Sequence, residues 1–221
     1  MKGLFDSPLF QKIARLADFF LASLLWLLTS LPIITVIPAT IAMYYSTVKV
    51  VRYIASEFTV QSFFHSFKTN FKQGLWLSVL YILAGIILYT FVDVANAVGM
   101  ETLYSKVYMV LTVLYSIALV GISLCLIPIV SRFDIGTLSA IKLSLRFIGS
   151  SFKKLIPYVI AMVGVAVFCY IIPPLILVLP AGFCYSLSNY AEPLMNEYME
   201  DNIDETMETP HWLLDEEETE E

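Results

Sequence analysis

The sequence predicts an all-helical bundle that crosses a membrane five or six times, with two amphipathic helices at the membrane surface and a disordered acidic tail. Three observations predict this fold class. Hydrophobic residues make up 58% of the 221 residues, where about 45–50% is usual for soluble domains. Several uncharged runs approach or exceed the roughly 20 residues that a helix needs to span a bilayer. Lysine and arginine gather at the borders of these runs, as they do around transmembrane helices.

The charges are unevenly divided along the chain. All 13 Lys and Arg lie in residues 1–191 together with 6 acids, and residues 192–221 carry the other 13 acids. We therefore predict a membrane-embedded domain over 1–191 and an acidic tail over 192–221. The apolar segment 210–214 within this tail leaves two alternatives to simple solvation, which are docking of a partner and folding back onto the basic helices.

Residues 16–48 form the first long apolar run, which is too long for one untilted crossing. Pro32 and Pro38 interrupt it, since a proline disfavours helical geometry in the residue before it. We predict a helical hairpin with limbs over about 14–31 and 38–54. A single kinked crossing, which would give five spans in total, stays open as the alternative.

The next segment, 57–73, predicts an amphipathic helix at the level of the lipid headgroups. Its apolar side chains recur at helical spacing and its basic side chains fall on a neighbouring stripe. The first set is Val60, Phe64, Phe67 and Phe71, and the second is His65, Lys68 and Lys72. Residues 74–92 then form an uncharged run of spanning length.

The second half of the chain repeats this order. A short acidic loop with Asp93, Asn96 and Glu101 precedes a predicted crossing over about 107–130. A second amphipathic helix follows, with basic side chains beside an apolar stripe. The basic set is Lys142, Arg146 and Lys153, and the stripe is Ile135, Leu138, Ile141, Leu145, Ile148, Phe152 and Leu155. The uncharged run 155–190, divided by Pro173-Pro174, predicts a last hairpin.

The chain thus shows one order of features twice. A crossing is followed by a proline, a basic amphipathic helix, a Phe-Lys pair and another crossing. We interpret residues of about 38–92 and 107–172 as candidate copies of one duplicated unit, an arrangement that is common in membrane transporters. The alternative is that any protein with several spans places basic surface helices between its crossings.

The positions of Lys and Arg predict the orientation, because positively charged loops stay on the cytoplasmic side. Basic clusters occur at 2–15, 49–72 and 132–154, and all three share one side if an even number of crossings separates each pair. We therefore predict a cytoplasmic N-terminus and an outer loop over 93–104.

Two segments carry a resemblance to a known family. The first is Leu25-Trp26-Leu27-Leu28 with Leu31-Pro32-Ile33-Ile34-Thr35 and Pro38-Ala39-Thr40. The second is Phe63-Phe64-His65-Ser66-Phe67-Lys68-Thr69-Asn70-Phe71-Lys72-Gln73. Both segments resemble the YesL-like family of bacterial membrane proteins. That family is a domain of unknown function. The motif residues that the resemblance marks as structural or interacting are Pro32, Thr35, Pro38, Ala39, Phe67, Asn70, Phe71, Lys72 and Gln73. Ser23 and Ile37 depart from the asparagine and glycine expected at their positions.

The resemblance implies a non-catalytic accessory protein of the bacterial plasma membrane that is associated with carbohydrate uptake or utilisation, with a sugar permease as a candidate partner. A small transporter or channel built on the internal repeat is the alternative. We expect no enzyme, because phosphate-loop, nucleophile-elbow, zinc-protease and dinucleotide-binding motifs are absent from the sequence. We also expect no cofactor, no metal site and no nucleic-acid partner.

The basic side chains of the amphipathic helices are candidate contacts for anionic lipid headgroups, although the same charges also set topology. They are Lys68, Lys72, Lys142, Arg146, Lys153 and Lys154. Asp18 and Asp93 lie near predicted helix ends, where interfacial water favours a capping role over proton relay. Cys125, Cys169 and Cys184 lie in apolar runs and predict buried thiols.

Overall fold

The computed structural model describes residues 8–52, 58–99 and 102–201. Within these ranges the chain forms α-helices, short 3-10 and π turns, and no strand, which confirms the all-helical class. The α-helices are α1 (Pro8–Thr29), α2 (Val36–Thr47), α3 (Thr59–Thr69), α4 (Phe71–Val98), α5 (Leu103–Arg132), α6 (Thr137–Ile171) and α7 (Leu179–Asp201).

The first apolar run folds as a helical hairpin, as its prolines predict. A 3-10 turn, Ile33–Thr35, connects α1 to α2, and a π turn, Val48–Arg52, continues α2. Trp26 on α1 donates its indole N–H to the Thr40 hydroxyl on α2 at 3.0 Å. The hydroxyl of Thr35 donates to the Thr29 carbonyl at 2.6 Å, so the turn satisfies a carbonyl that the end of α1 leaves open.

Helix α4 is longer than its apolar run. Asp93 and Asn96, which the sequence predicts to lie in a loop, are part of the helix, and that prediction is wrong. Both residues are exposed on the surface of the helix, where polar side chains are tolerated, and Ala95 between them is buried. The helix ends instead at Gly99, whose φ of 88° is a left-handed conformation that side chains strongly disfavour.

The segments that the sequence predicts as a second amphipathic helix and a separate crossing form one helix, α6. Ser151 has non-helical backbone angles, φ −129° and ψ 28°, and divides α6 into two parts. A Gly-Ser-Ser run, residues 149–151, precedes the second part, and such small residues permit kinks. At about 1.5 Å per residue the 35 residues of α6 exceed the roughly 30 Å hydrocarbon thickness of a bilayer.

Helix α7 crosses the boundary that the sequence predicts between the membrane domain and the acidic tail. A 3-10 turn, Pro173–Leu177, follows α6, and α7 then runs from Leu179 to Asp201. The face of α7 that is buried includes Glu192, so the predicted tail begins with a packed helical segment. Residues 202–221, with the apolar segment 210–214, lie outside the described residues.

Within residues 8–52, 58–99 and 102–201, four segments are long and apolar enough to cross a membrane, namely Ile33–Arg52, α4, α5 and α6. In the most apolar stretch of Ile33–Arg52, 61% of residues are buried, against 11% in α4 and 6% in α6. Helix α2 is therefore central, and most of α4 and α6 presents large apolar side chains outwards, which is unfavourable in water and suits lipid. These helices make the chain a membrane protein. The count of five or six spans stays a prediction that needs α1 and α7.

Candidate functional site

The ends of α2 and α5 meet the middle of α7 around a buried ion pair. Arg132 Nη1, at the last residue of α5, lies 2.6 Å from Glu192 Oε2, and the two side chains are 5% and 2% exposed. Arg132 Nη2 donates to Asn196 Oδ1 at 2.6 Å. The Tyr44 hydroxyl on α2 donates to Glu192 Oε1 at 3.1 Å. Three helices that are distant in the sequence are thus joined through one carboxylate.

Two further cations lie on the π turn that continues α2. A π turn holds more residues than an α-helical turn and so changes the direction of the side chains that it carries. Lys49 is buried, and its Nζ donates to the Tyr45 hydroxyl at 3.4 Å. Arg52 Nη1 donates to Ser188 Oγ at 3.0 Å and to Asn189 Oδ1 at 2.9 Å. The π turn therefore binds α7 one helical turn before Glu192.

These side chains leave almost no empty space between them. The cavity between them has a volume of about 10 Å³, which is room for about one water molecule. It is lined by Tyr44, Tyr45, Val48, Lys49, Ser131, Arg132 and Glu192. A buried ion pair is tolerated when hydrogen bonds satisfy both partners, and it leaves a costly unpaired charge when one partner is removed. The cluster therefore fixes the relative positions of three helices and has no room for a substrate.

Neither partner of this ion pair was predicted from the sequence. The sequence predicts Arg132 to be one of the basic residues that set topology, and it places Glu192 in the acidic tail. One signal was available, because the buried side chains of α7 recur at helical spacing through the predicted boundary. They are Cys184, Leu187, Ser188, Ala191, Glu192 and Met195. An acid within such a stripe predicts a buried partner of opposite charge.

The first motif segment shapes the turn between α1 and α2. Pro32 is the residue before the 3-10 turn, and its carbonyl accepts from the Thr35 hydroxyl at 2.7 Å. Pro38 and Ala39 are buried in the first turns of α2. A methyl group built on Gly74 of α4 would lie 2.7 Å from Pro38 Cβ, so the two helices approach closely only because residue 74 is glycine.

The second motif segment shapes the break between α3 and α4. Asn70 is buried, and its Nδ2 donates to the Ser66 carbonyl at 3.2 Å. Gln73 Nε2 donates to the Ile135 carbonyl at 3.0 Å, which connects α4 to the segment before α6. The rings of Phe67 and Phe71 lie 5.4 Å apart across the break. The motif residues thus have structural contacts, apart from Lys72, which is exposed.

The candidate lipid contacts do not converge on one point. Lys68 and Lys72 are exposed around the end of α3, and the other four residues are exposed along α6. Those four are Lys142, Arg146, Lys153 and Lys154. The guanidinium carbon of Arg146 lies 5.6 Å from the ring centroid of Tyr198 on α7, a distance at which a cation and an aromatic ring attract.

The remaining ionisable candidates have ordinary surroundings. Asp18 Oδ1 accepts a hydrogen bond from the Thr59 hydroxyl at 2.7 Å, which joins α1 to α3. Asp93 is exposed near the end of α4. His65 is exposed on α3, with its ring 6.2 Å from that of Tyr45. Ser23, at the place of an expected asparagine, accepts from the Ala181 amide at 3.2 Å and so joins α1 to α7.

The thiols and acids do not assemble a metal site in the part of the chain that the structure describes. Cys125 and Cys184 are buried and Cys169 is partly exposed, and all three are free thiols. Within 8–52, 58–99 and 102–201, no group of three or more His, Cys, Asp or Glu is close enough to hold a metal ion.

The wider cavities lie at helix faces. A cleft of about 380 Å³ between the kink of α6 and α7 has both Lys154 and Glu197 in its lining. An open groove of about 530 Å³ between α5 and α6 is lined by apolar side chains and glycine only, among them Ile117, Gly121 and Phe152. The lining of the first cleft is mixed and that of the second is apolar, and neither cavity is lined by Arg132 or Glu192.

The described residues are all-helical and include four segments able to cross a membrane, and a buried ionic cluster joins α2 and α5 to α7, so the chain is a helical membrane protein. Residues 19–92 match the model of a family described as a protein of unknown function, DUF624. The match extends from α1 into α4 and therefore includes both motif segments. No curated protein and no solved structure matches the chain.

Proposed function

We propose that this chain is a non-catalytic accessory protein of the bacterial plasma membrane, which binds the membrane subunits of a carbohydrate uptake system. The resemblance of its motif segments to YesL-like proteins supports the carbohydrate association. The closed ionic cluster supports the accessory role, and it is the observation that carries the proposal.

A conducting or transporting protein needs a polar path through the hydrocarbon thickness of roughly 30 Å. Here the ionic cluster lies at the ends of α2 and α5 and encloses about 10 Å³. Further along, α2 and α5 contribute apolar side chains to the core, among them Ile41, Ala42 and Leu124. These helices therefore meet as a packed contact, which suits a protein that supports a partner.

The alternative, a small transporter built on two repeated units, is favoured by one observation. In both units a break in the helix is followed by a Phe-Lys pair and then by a long apolar helix. The break lies at Asn70 in the first unit and at Ser151 in the second. Transporters commonly place substrate between such repeats. Transport through the contact of α2 and α5 with α7 would require separation of Arg132 from Glu192, and the loss of this buried pair is costly.

Purified protein in liposomes separates the two functions. Vesicles that hold only this protein are loaded with buffer and exposed to labelled glucose, maltose and rhamnose, and vesicles with a known sugar transporter serve as the positive control. We expect uptake no faster than in protein-free vesicles. Uptake above that background by the protein alone would overturn the accessory role in favour of transport.

A second measurement tests the partner. The membrane subunits of a sugar permease encoded beside the gene are produced with and without this protein, and sugar uptake by the cells is recorded. We expect lower uptake without it and recovery of both proteins together in mild detergent. Unchanged uptake and separate elution would contradict the proposal. A permease for an unrelated solute in the same cells serves as the control.

A further inference from the structure

The two halves of the chain share one structural register. Asn70 ends α3 immediately before Phe71-Lys72, and Ser151 kinks α6 immediately before Phe152-Lys153, which lies 81 residues further on. A short amphipathic helix precedes each break and a long apolar helix follows it. Around the two breaks, residues 59–74 and 140–155 therefore correspond one to one at a spacing of 81 residues.

Burial follows the same register, although most of the residues differ. Four positions of α3 are buried, and the four positions 81 residues later are buried in α6. The first set is Thr59, Ser62, Phe63 and Ser66, and the second is Ala140, Leu143, Ser144 and Phe147. Polar or small residues in one unit are apolar in the other, so the agreement concerns the direction of each helix face rather than side-chain chemistry.

Each unit also has a contact at a glycine after its break, at 2.7 Å from the built methyl group in the first unit and at 3.6 Å in the second. Gly74 of α4 packs against Pro38 of α2, and Leu155, 81 residues after Gly74, is the side chain nearest to Gly121 of α5. The glycine lies on the later helix in the first unit and on the earlier helix in the second. The long helix of the first unit thus meets α2, and that of the second unit meets α5.

The outward faces of the two units carry the same mixture of side chains. Phe64 and Phe71 are 40% and 37% exposed, and their counterparts Leu145 and Phe152 are 52% and 55% exposed. Exposed cations lie beside them, Lys68 and Lys72 in the first unit and Lys142, Arg146, Lys153 and Lys154 in the second. Helices α3 and α6 contain no acid.

Large apolar side chains beside lysine and arginine, without acids, match the boundary between acyl chains and anionic headgroups. The apolar groups enter the acyl region while the long basic side chains extend to the phosphates. The surface of a soluble partner would not offer Phe64 and Phe71 an apolar layer as deep as the acyl region of a bilayer. Charge complementarity therefore favours a lipid surface as the occupant.

We propose that the chain holds anionic phospholipid headgroups at two equivalent positions, one beside Lys72 at the break between α3 and α4 and one beside Lys153 at the kink of α6. The two positions follow from one duplicated unit with a spacing of 81 residues. Each basic side chain near the surface contributes about 1 kcal/mol to attraction of anionic lipid, or roughly fivefold in relative affinity.

Tryptophan fluorescence reports lipid contact at each position separately. Trp76 is 62% exposed and follows Lys72 by one helical turn, so the W26F/W212F variant carries a single probe of the first position. The W26F/W76F/W212F/F152W variant carries a probe of the second. Each is placed in phosphatidylcholine vesicles that contain equal fractions of either brominated phosphatidylglycerol or brominated phosphatidylcholine, and quenching by the two lipids is compared.

We expect stronger quenching by phosphatidylglycerol at both probes. K72Q should reduce that preference about fivefold at Trp76 and leave the second probe unchanged, and K153Q should do the reverse. K106Q, which removes an exposed cation at the opposite end of α5, should change neither. Circular dichroism and thermal unfolding show that each variant is folded.

Equal quenching by the two lipids at either probe in the unsubstituted background would overturn the proposal of two equivalent positions. Loss of the preference at both probes after one substitution, or after K106Q, would show a general effect of net charge and would overturn it as well.

Discussion

The buried acid and base between α5 and α7 show what single residues contribute to this fold. Arg132 and Glu192 are both nearly inaccessible, and desolvation of two charges costs as much as their attraction returns. Their value lies in geometry, because a carboxylate shared by α2, α5 and α7 admits only one arrangement of these helices. The sequence shows the two charges plainly but does not show that they meet, since they are 60 residues apart.

Removal of one partner should destabilise the protein much more than removal of both. We expect R132L and E192L to lower the free energy of unfolding by about 3–5 kcal/mol each, because each leaves a buried charge without its partner. The double variant R132L/E192L should lie closer to the natural protein than either single variant does. Unfolding in mixed detergent micelles, followed by circular dichroism, provides the measurement.

Additive losses in the double variant would contradict this account of the ion pair, because coupled partners are not additive. K106Q provides the matched control, since it removes an exposed cation from the same helix as Arg132, and it should change the unfolding free energy by less than about 0.5 kcal/mol.

At the scale of helices, the apolar runs of the sequence predict correctly that a helix is present but predict poorly where that helix begins and ends. The run 74–92 predicts α4, yet the helix continues past Asp93 to Gly99, where a left-handed residue stops it. The basic stripe and the crossing after it are predicted as separate helices, and α6 joins them with a kink at Ser151. Backbone geometry at one serine or glycine decides these boundaries, and hydropathy does not report it.

The contact between α2 and α4 gives a test at this scale. G74A places a methyl group 2.7 Å from Pro38 Cβ and 2.8 Å from its Cα. Because a proline ring and backbone cannot move aside, we expect a loss of about 1–3 kcal/mol in the free energy of unfolding, typical of overpacking. Thermal unfolding in detergent checks the result.

G85A is the control on the same helix, since a methyl group there meets nothing within 4 Å. We expect it to be neutral or stabilising, because alanine favours helix over glycine by roughly 0.5–1 kcal/mol. Equal stability of the two variants would contradict the close packing of α4 against Pro38.

For the molecule as a whole, the amino-acid composition alone predicts a lipid environment. The structure adds how the helices are arranged relative to one another. The runs after Pro38, Phe71 and Phe152 predict long apolar helices, and four such segments are present. The motif residues Pro38, Asn70 and Gln73 prove to shape helix contacts, which the resemblance alone did not specify. The ionic cluster could be identified only from the tertiary structure, because its members come from three helices that are distant in the sequence.

The arrangement proposed for the whole chain requires that both basic surfaces lie on one side of the membrane. A duplicated unit in one orientation requires this, since α3 and the first part of α6 then meet the same leaflet. Substituted cysteines test it most directly. K68C, R146C and E101C are introduced singly into a C169S background, which removes the one native thiol that is partly exposed, and cells are treated with an impermeant maleimide.

We predict that E101C reacts in intact cells, and that K68C and R146C react only after the membrane is permeabilised. Reaction of either K68C or R146C in intact cells would contradict the common orientation of the two units, and with it the arrangement proposed for the whole chain.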